Sequence, residues 1–272
     1  MAVPAGGPPY DMSGEWIVGA ERESVSGAVG VPAGAIGEAP RTLDLRVDAH
    51  VHTGFAAGRD SVGVVVMAAD RAGLTGLTFA DPVGPDTTWL PAYADAVRRA
   101  QRRTELTLRV AAEVEVVQQD GWLAWPVDLG DLEAVSVAVS RLPLAVGPVG
   151  PREIRSLLRT GRLSPEQVVE IVVTATARGL ERAARYAPTQ LARPLSLLTQ
   201  VGIGEAMLSP EMLNVLTDAC RTTGTAVEIS EAWRSPSPRV VGVLREAAVS
   251  IVAVSDARYA GDVGRWQYLH GV

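Results

Sequence analysis

The amino-acid sequence predicts an α/β fold with a largely parallel sheet, and three observations carry that prediction. From Thr42 onward, short apolar runs of strand character alternate with segments of helical period, the pattern of parallel strands joined by crossover helices. The chain has 272 residues, a length at which one α/β barrel forms a single domain. Apolar residues are 47% and charged residues 21% of the total, enough to bury a sizeable core. Residues 1–40, rich in Gly, Ala and Pro and weakly periodic, read as an N-terminal extension that can still pack through Trp16 and Ile17; residues 41–272 read as the barrel domain.

Strands are expected at Leu43–Val51, Gly76–Phe79, Thr107–Val117, Ala134–Val139, Gln190–Ala192, Ala226–Ile229 and Ser250–Val254. Helices fall between them. Val62–Ala72 ends at Gly73, a C-cap signal. Pro91–Arg103 carries a basic last turn, which suits the helix dipole. A third helix starts at Ser164, with Pro165 at its first position and Gln167 as capping-box partner. A fourth opens at Ser209-Pro210 and ends at Gly224, and Pro238–Ala248 is the fifth. Gln118-Gln119-Asp120-Gly121 separates two apolar runs and reads as a hairpin turn.

Composition narrows the function. The net charge is −6 and the pI about 5.2, so the basic footprint of a nucleic-acid binder is absent. An acidic surface still permits a small basic pocket for an anion. Cys220 is the single cysteine; it permits no internal disulfide, which fits a reducing compartment. The first ten residues lack the basic and apolar segments of a signal peptide. No run approaches the roughly 18 apolar residues of a membrane span. A soluble cytoplasmic protein without a membrane or nucleic-acid partner is expected.

The chemistry concentrates at strand ends. In Asp48-Ala49-His50-Val51-His52, alternate residues share one face, so Asp48, His50 and His52 point together. Two imidazoles on one face at the C-terminal end of a strand seed a divalent metal site; the plainer reading is that they cap the strand. Glu113 and Glu115, Asp81 and Asp256 also follow or end apolar runs. Singly, each reads as a solvated strand end. Together with the paired histidines they suggest a site, because a carboxylate beside a buried strand needs a cation or water. Gly202-Ile203-Gly204 lacks the basic and hydroxyl residues of a P-loop. Glu231-Ala232-Trp233-Arg234 can line a pocket mouth, with packing an equal reading for Trp233. Cys220 reads as buried filling and His270 as solvated.

Four segments, in order, carry a family resemblance over roughly residues 43–267. Asp48-Ala49-His50-Val51-His52-Thr53 resembles an opening His-x-His-Thr motif, and Ala112-Glu113-Val114-Glu115 a Gly-x-Glu strand. Leu191-Ala192-Arg193-Pro194 is similar to an Ala-His-Pro segment, and Ser255-Asp256-Ala257-Arg258 to a closing Ser-Asp-Ala-His. The chain thereby resembles the PHP (polymerase and histidinol phosphatase) family. The resemblance implies a distorted seven-stranded (β/α) barrel, a site built for up to three divalent metals, and phosphoester cleavage. It implies His50, His52, Glu113 and Asp256 as ligands of the first metal.

The departures from that pattern imply a degenerate metal centre. By resemblance, Arg193 and Arg141 stand where the second metal would take histidines; Pro82 and Arg258 replace two histidines of the third, where Asp60 remains. Arginine stays protonated and offers no lone pair, so those two positions should hold no metal. Guanidinium groups bind phosphate and carboxylate well. The expected catalytic residues are therefore His50, His52, Arg193 and Arg258. Arg141, Arg193, Arg258 and Trp233 are expected to bind the substrate, and at most one divalent metal, zinc or manganese, to be held. The expected ligand is a small anionic molecule and the expected reaction metal-assisted phosphoester hydrolysis. Two alternatives stand beside it: a metal-free acid–base enzyme (lyase, cyclase or isomerase) using His50 and His52, and a non-catalytic ligand-binding protein. The charge scheme further predicts ion pairs of Asp60 with Arg258, and of Glu113 with Arg193 or Arg141.

Overall fold

A computed structural model describes residues 43–272; the expected N-terminal extension and its Trp16 and Ile17 lie outside the described residues. Strand β1 (Val47–Val51) is followed by helix α1 (Val62–Arg71), β2 (Gly76–Val83), α2 (Leu90–Gln101), β3 (Thr107–Glu115) and β4 (Ala134–Ala138). A hairpin of β5 (Leu142–Leu144) and β6 (Gly147–Val149) precedes α3 (Pro151–Arg159) and α4 (Pro165–Ala183). Then come β7 (Thr189–Leu191), α5 (Ser196–Gln200), α6 (Pro210–Thr223), β8 (Ala226–Ser230), α7 (Pro238–Glu246) and β9 (Ile251–Val254).

Seven strands form one sheet in the order β1-β2-β3-β4-β7-β8-β9, and every pairing in it is parallel. The sheet curls so that its two edges meet. His52 N donates to Ala257 O at 2.9 Å and Asp256 N to His50 O at 3.1 Å. The result is a nearly closed, distorted (β/α)7 barrel, the expected fold. That closure brings the first motif against the last, 206 positions apart in the chain. Two apolar layers hold the helices on. One gathers Val51, Val65, Phe79, Tyr93 and Val97 under α1 and α2; the larger gathers Val137, Val172, Leu180, Leu197, Leu216 and Val241 under α4 to α7. Among the described residues, no helix is long and apolar enough to cross a membrane.

Local chemistry explains where the observed elements differ from the expected ones. β1 starts at Val47, not Leu43, because the Asp44 carboxylate accepts from Arg46 N at 3.0 Å and Val47 N turns back to Asp44 O; such a side-chain turn competes with strand pairing. β2 runs on to Val83, so Asp81 and Pro82 lie within it, with Pro82 paired to Glu113. The Gln118–Gly121 turn forms: Val117 N donates to Trp122 O at 2.8 Å. Gly121 adopts φ +83, and a Cβ there would lie 2.4 Å from the backbone of Arg178; only glycine lets this turn rest on α4. The capping box of α4 is present, with Ser164 and Gln167 bonded reciprocally. The β5–β6 hairpin, α3 and α5 escape the periodicity. The two strands have three residues each and α5 has five, and α3 buries Ile154 alone among its nine.

Candidate active site

The parallel strands end on one side of the barrel, where loops rather than helices begin, and there the candidate residues meet. β1 places Asp48, His50 and, just past its end, His52 on one face. All three are buried. Asp48 serves closure: its carboxylate accepts from Ser255 N at 2.9 Å and Gly264 N at 3.2 Å. Burial pushes its pKa up to about 6, with the Ser255 bonds opposing.

The imidazoles of His50 and His52 meet edge-on, their centroids 4.9 Å apart. His50 Nδ1 lies 2.7 Å from Glu228 Oε1 and its Nε2 lies 3.0 Å from Ala80 O. Each ring nitrogen faces an acceptor, so the bonding pattern assigns a proton to both. Burial alone lowers the His50 pKa, but Glu228, Glu113 and Asp256 outweigh it and lift it to about 10. His52 Nε2 lies 2.7 Å from Asp256 Oδ1. Its pKa also rises: Asp256, bonded at Nε2, and Asp81, 3.7 Å from Nδ1, overcome the opposing effect of burial. Asp256, in turn, is held well below the usual carboxylate range, because His52, His50 and Arg193 outweigh its burial.

Arg193 joins the two acids. It is 8% exposed; Nη2 donates to Glu113 Oε1 at 2.6 Å and Ser140 Oγ at 2.9 Å, and Nη1 lies 3.7 Å from Asp256 Oδ2. These acids hold its pKa above the usual arginine value, against the pull of burial. Trp233, half-buried on the loop after β8, donates its indole N–H to Asp256 Oδ2, and the Arg193 guanidinium lies 5.8 Å from its ring centroid. Two side-chain atoms in the cluster are buried without a hydrogen-bond partner, His52 Nδ1 and Glu113 Oε2. Glu113 Oε2 lies 3.5 Å from His50 Nε2. One donor atom each from His50, His52 and Glu113 lies within 4.8 Å of the others.

The backbone is strained around this cluster. Arg193, Leu195, Arg234 and Asp256 all adopt left-handed φ, between 45° and 64°; the remaining non-glycine case among the described residues, Ala248, follows α7. Strain of this kind persists where the surroundings over-determine it, commonly at functional sites. The loop after His52 is equally constrained. Asp81 ties it down through Thr53 N at 3.0 Å and Ala57 N at 3.2 Å, and Gly58 packs where a Cβ would lie 2.7 Å from the His52 backbone.

Two expected members are not brought in. Arg141 is exposed, and its backbone N–H bonds Glu115 Oε1 at 2.9 Å. The chain turns outward after β4, so its neighbour Ser140, not Arg141, reaches Arg193. Arg258 is exposed too. Asp60 instead accepts from Ala260 N at 2.7 Å, and among the described residues it forms no ion pair. Of the three arginines expected to form a clamp, Arg193 alone enters the cluster among the described residues. His270 is exposed, and Cys220 is buried. Sequence reasoning missed Ser140, Gln190 and Glu228. A carboxylate in the middle of the apolar run Ala226–Ile229 is the signal that could have found Glu228.

A cleft of about 410 Å³, lined by Glu231, Arg234, Ser255, Asp256, Arg265 and Gln267, reaches Asp256. A larger one, about 910 Å³, opens between α1 and α2 beside Phe55 and Arg59 and borders no member of the cluster.

Comparison with solved structures places this architecture. The chain is similar to a Listeria monocytogenes protein assigned as a histidinol phosphatase, at TM-score 0.64 and 14% identity over 80% of this chain and 97% of that one. It is also similar to the histidinol phosphate phosphatase of Lactococcus lactis, solved with zinc, L-histidinol and phosphate, at TM-score 0.58 and 14% identity over 82% and 89%. No family profile and no curated protein sequence matches the chain. The likeness is one of fold, that of a PHP-like domain, at 14% sequence identity.

Proposed function

We propose that the chain is a PHP-like hydrolase of a small anionic substrate, best a phosphomonoester, working with a single divalent cation at the C-terminal face of the barrel. The observation that carries this reading is the convergence of His50, His52 and Glu113, with Glu113 Oε2 buried, unpartnered and turned toward His50 Nε2. Two imidazoles and carboxylates suit zinc or manganese. His50, His52, Glu113 and Asp256 would hold the cation. When bound, it supplies an acidified water and polarises the ester.

The remaining work falls to this chain's own groups. Arg193 already spends Nη2 on Glu113 and Ser140, while its Nη1 and Nε form no hydrogen bond among the described residues. Those donors suit one edge of a phosphoryl group and the charge that develops on it. Trp233 borders the guanidinium and bonds Asp256 through its indole N–H. Asp256 holds His52 in place and opens onto the cleft.

A specific observation favours a second reading. His50–Glu228, His52–Asp256 and Arg193–Glu113 form a buried set of charge pairs. Such a network suits a metal-free acid–base enzyme, or a ligand-binding protein without turnover.

Metal analysis separates these. Protein dialysed against zinc or manganese, then freed of loose metal, should retain one equivalent per chain, hydrolyse an aryl phosphate, and lose both on His50→Ala. Wild-type protein that retains no metal removes the hydrolase reading. Hydrolysis without metal, abolished by the same variant, selects the acid–base enzyme.

A further inference from the structure

Glu228 sits in the middle of β8, fully buried between Val227 and Ile229. Burying an ionised carboxylate is costly unless donors surround it. Here three do. Oε1 accepts from His50 Nδ1 at 2.7 Å and from Gln190 Nε2 at 2.8 Å, and Oε2 accepts from the backbone N–H of Arg193 at 3.2 Å. The same Gln190 amide also donates to Ala49 O at 2.8 Å. One side chain thus gathers β1, β7 and the turn after β7.

Geometry gives this gathering a direction. A histidine ring anchored at Nδ1 has its Nε2 fixed in direction, and here Nε2 lies 3.0 Å from Ala80 O and 3.5 Å from Glu113 Oε2. Arg193 occupies left-handed backbone, φ 45, a conformation that needs outside support in a non-glycine residue. Its N–H is held by the carboxylate that holds the ring. We propose that Glu228 is the positioning residue of this site: one oxygen sets the His50 ring and the other sets the strained turn that delivers the Arg193 guanidinium. What the ring is aimed at rests on the cation reading above; the aiming itself does not. A glutamine could not replace this group, since its NH2 would confront His50 or Arg193, both donors.

The test uses the full chain with Glu228→Gln and Glu228→Asp. Zinc affinity is measured by competition with a chromophoric chelator, and the hydrogen-bonded His50 Nδ1 proton by its far-downfield NMR resonance. Glu228→Gln should weaken zinc about 10–100-fold, the range for losing such a supporting partner, and should abolish the resonance. Glu228→Asp, which keeps the charge on a shorter stem, should recover part of both. Affinity within about twofold of wild type, with the resonance intact, overturns the proposal. If Glu228→Gln does not fold, Glu228→Asp is read by the same two measurements. If wild-type protein takes no zinc, the cation reading fails and the resonance alone decides: its persistence in the variant overturns the positioning role, and its loss supports it.

Discussion

At the scale of single residues, Arg193 has a large electrostatic consequence. Its guanidinium lies between two buried acids, and removing one partner of a buried pair costs about 3–5 kcal/mol because the other charge is stranded. Arg193→Met keeps the bulk and removes the charge. Metal-free Arg193→Met should melt roughly 6–20 °C below wild type, at 2–4 °C per kcal/mol for a domain of this size, and added zinc should recover more of the loss than it adds to wild type. Arg141→Ala and Arg258→Ala serve as the contrast. Both side chains are exposed and form no ion pair among the described residues, so each should change stability by no more than about 0.5 kcal/mol. Calorimetry that finds the three variants alike would remove the distinction between one engaged arginine and two solvated ones.

At the scale of elements, strand ends place polar groups where burial and solvation compete, and Glu115 at the end of β3 shows the outcome. Its Oε1 accepts from Ser140 N at 2.7 Å and Arg141 N at 2.9 Å, fastening the β4 end to β3. Burial nevertheless outweighs these bonds and lifts its pKa from 4.5 to about 7. A carboxyl raised in this way holds a proton that the unfolded chain has already released. Stability therefore falls as pH rises from about 4.5 to about 7, and the full cost remains above that. Glu115→Gln keeps an acceptor for the two N–H groups and removes the charge. It should be more stable than wild type at pH 8 by on the order of 2 kcal/mol, with the gap closing below pH 4.5. Urea unfolding at the two pH values measures this, and a variant no more stable at pH 8 would show that the bonds, not burial, govern the group. Legibility follows the same scale. The long amphipathic helices and the apolar strands stand out because their period extends over many residues. The β5–β6 hairpin and α5 do not, because elements of three to five residues are held by contacts from elsewhere in the chain.

Across the whole molecule, the core shields its one thiol. Cys220 is buried in α6 against the larger apolar layer, and burial raises its pKa to about 12. The thiolate is the reactive form, so native protein at pH 8 should resist a disulfide reagent and yield one equivalent only after unfolding. Rapid labelling of the native state would show that α6 opens independently of the barrel. The sequence alone determined the alternation that builds a parallel barrel, and the four segments that supply His50, His52, Glu113, Arg193 and Asp256. The alternation is a local property, set by period and by residue type, and the four segments were legible through their resemblance to a family's ordered motifs. Tertiary structure alone decided which arginine enters the cluster, that Ser140 and not Arg141 meets it, and that Glu228 anchors His50. Those outcomes depend on how the edges of the sheet close and where each loop turns, and spacing along a chain carries no record of a hydrogen bond that spans 178 residues.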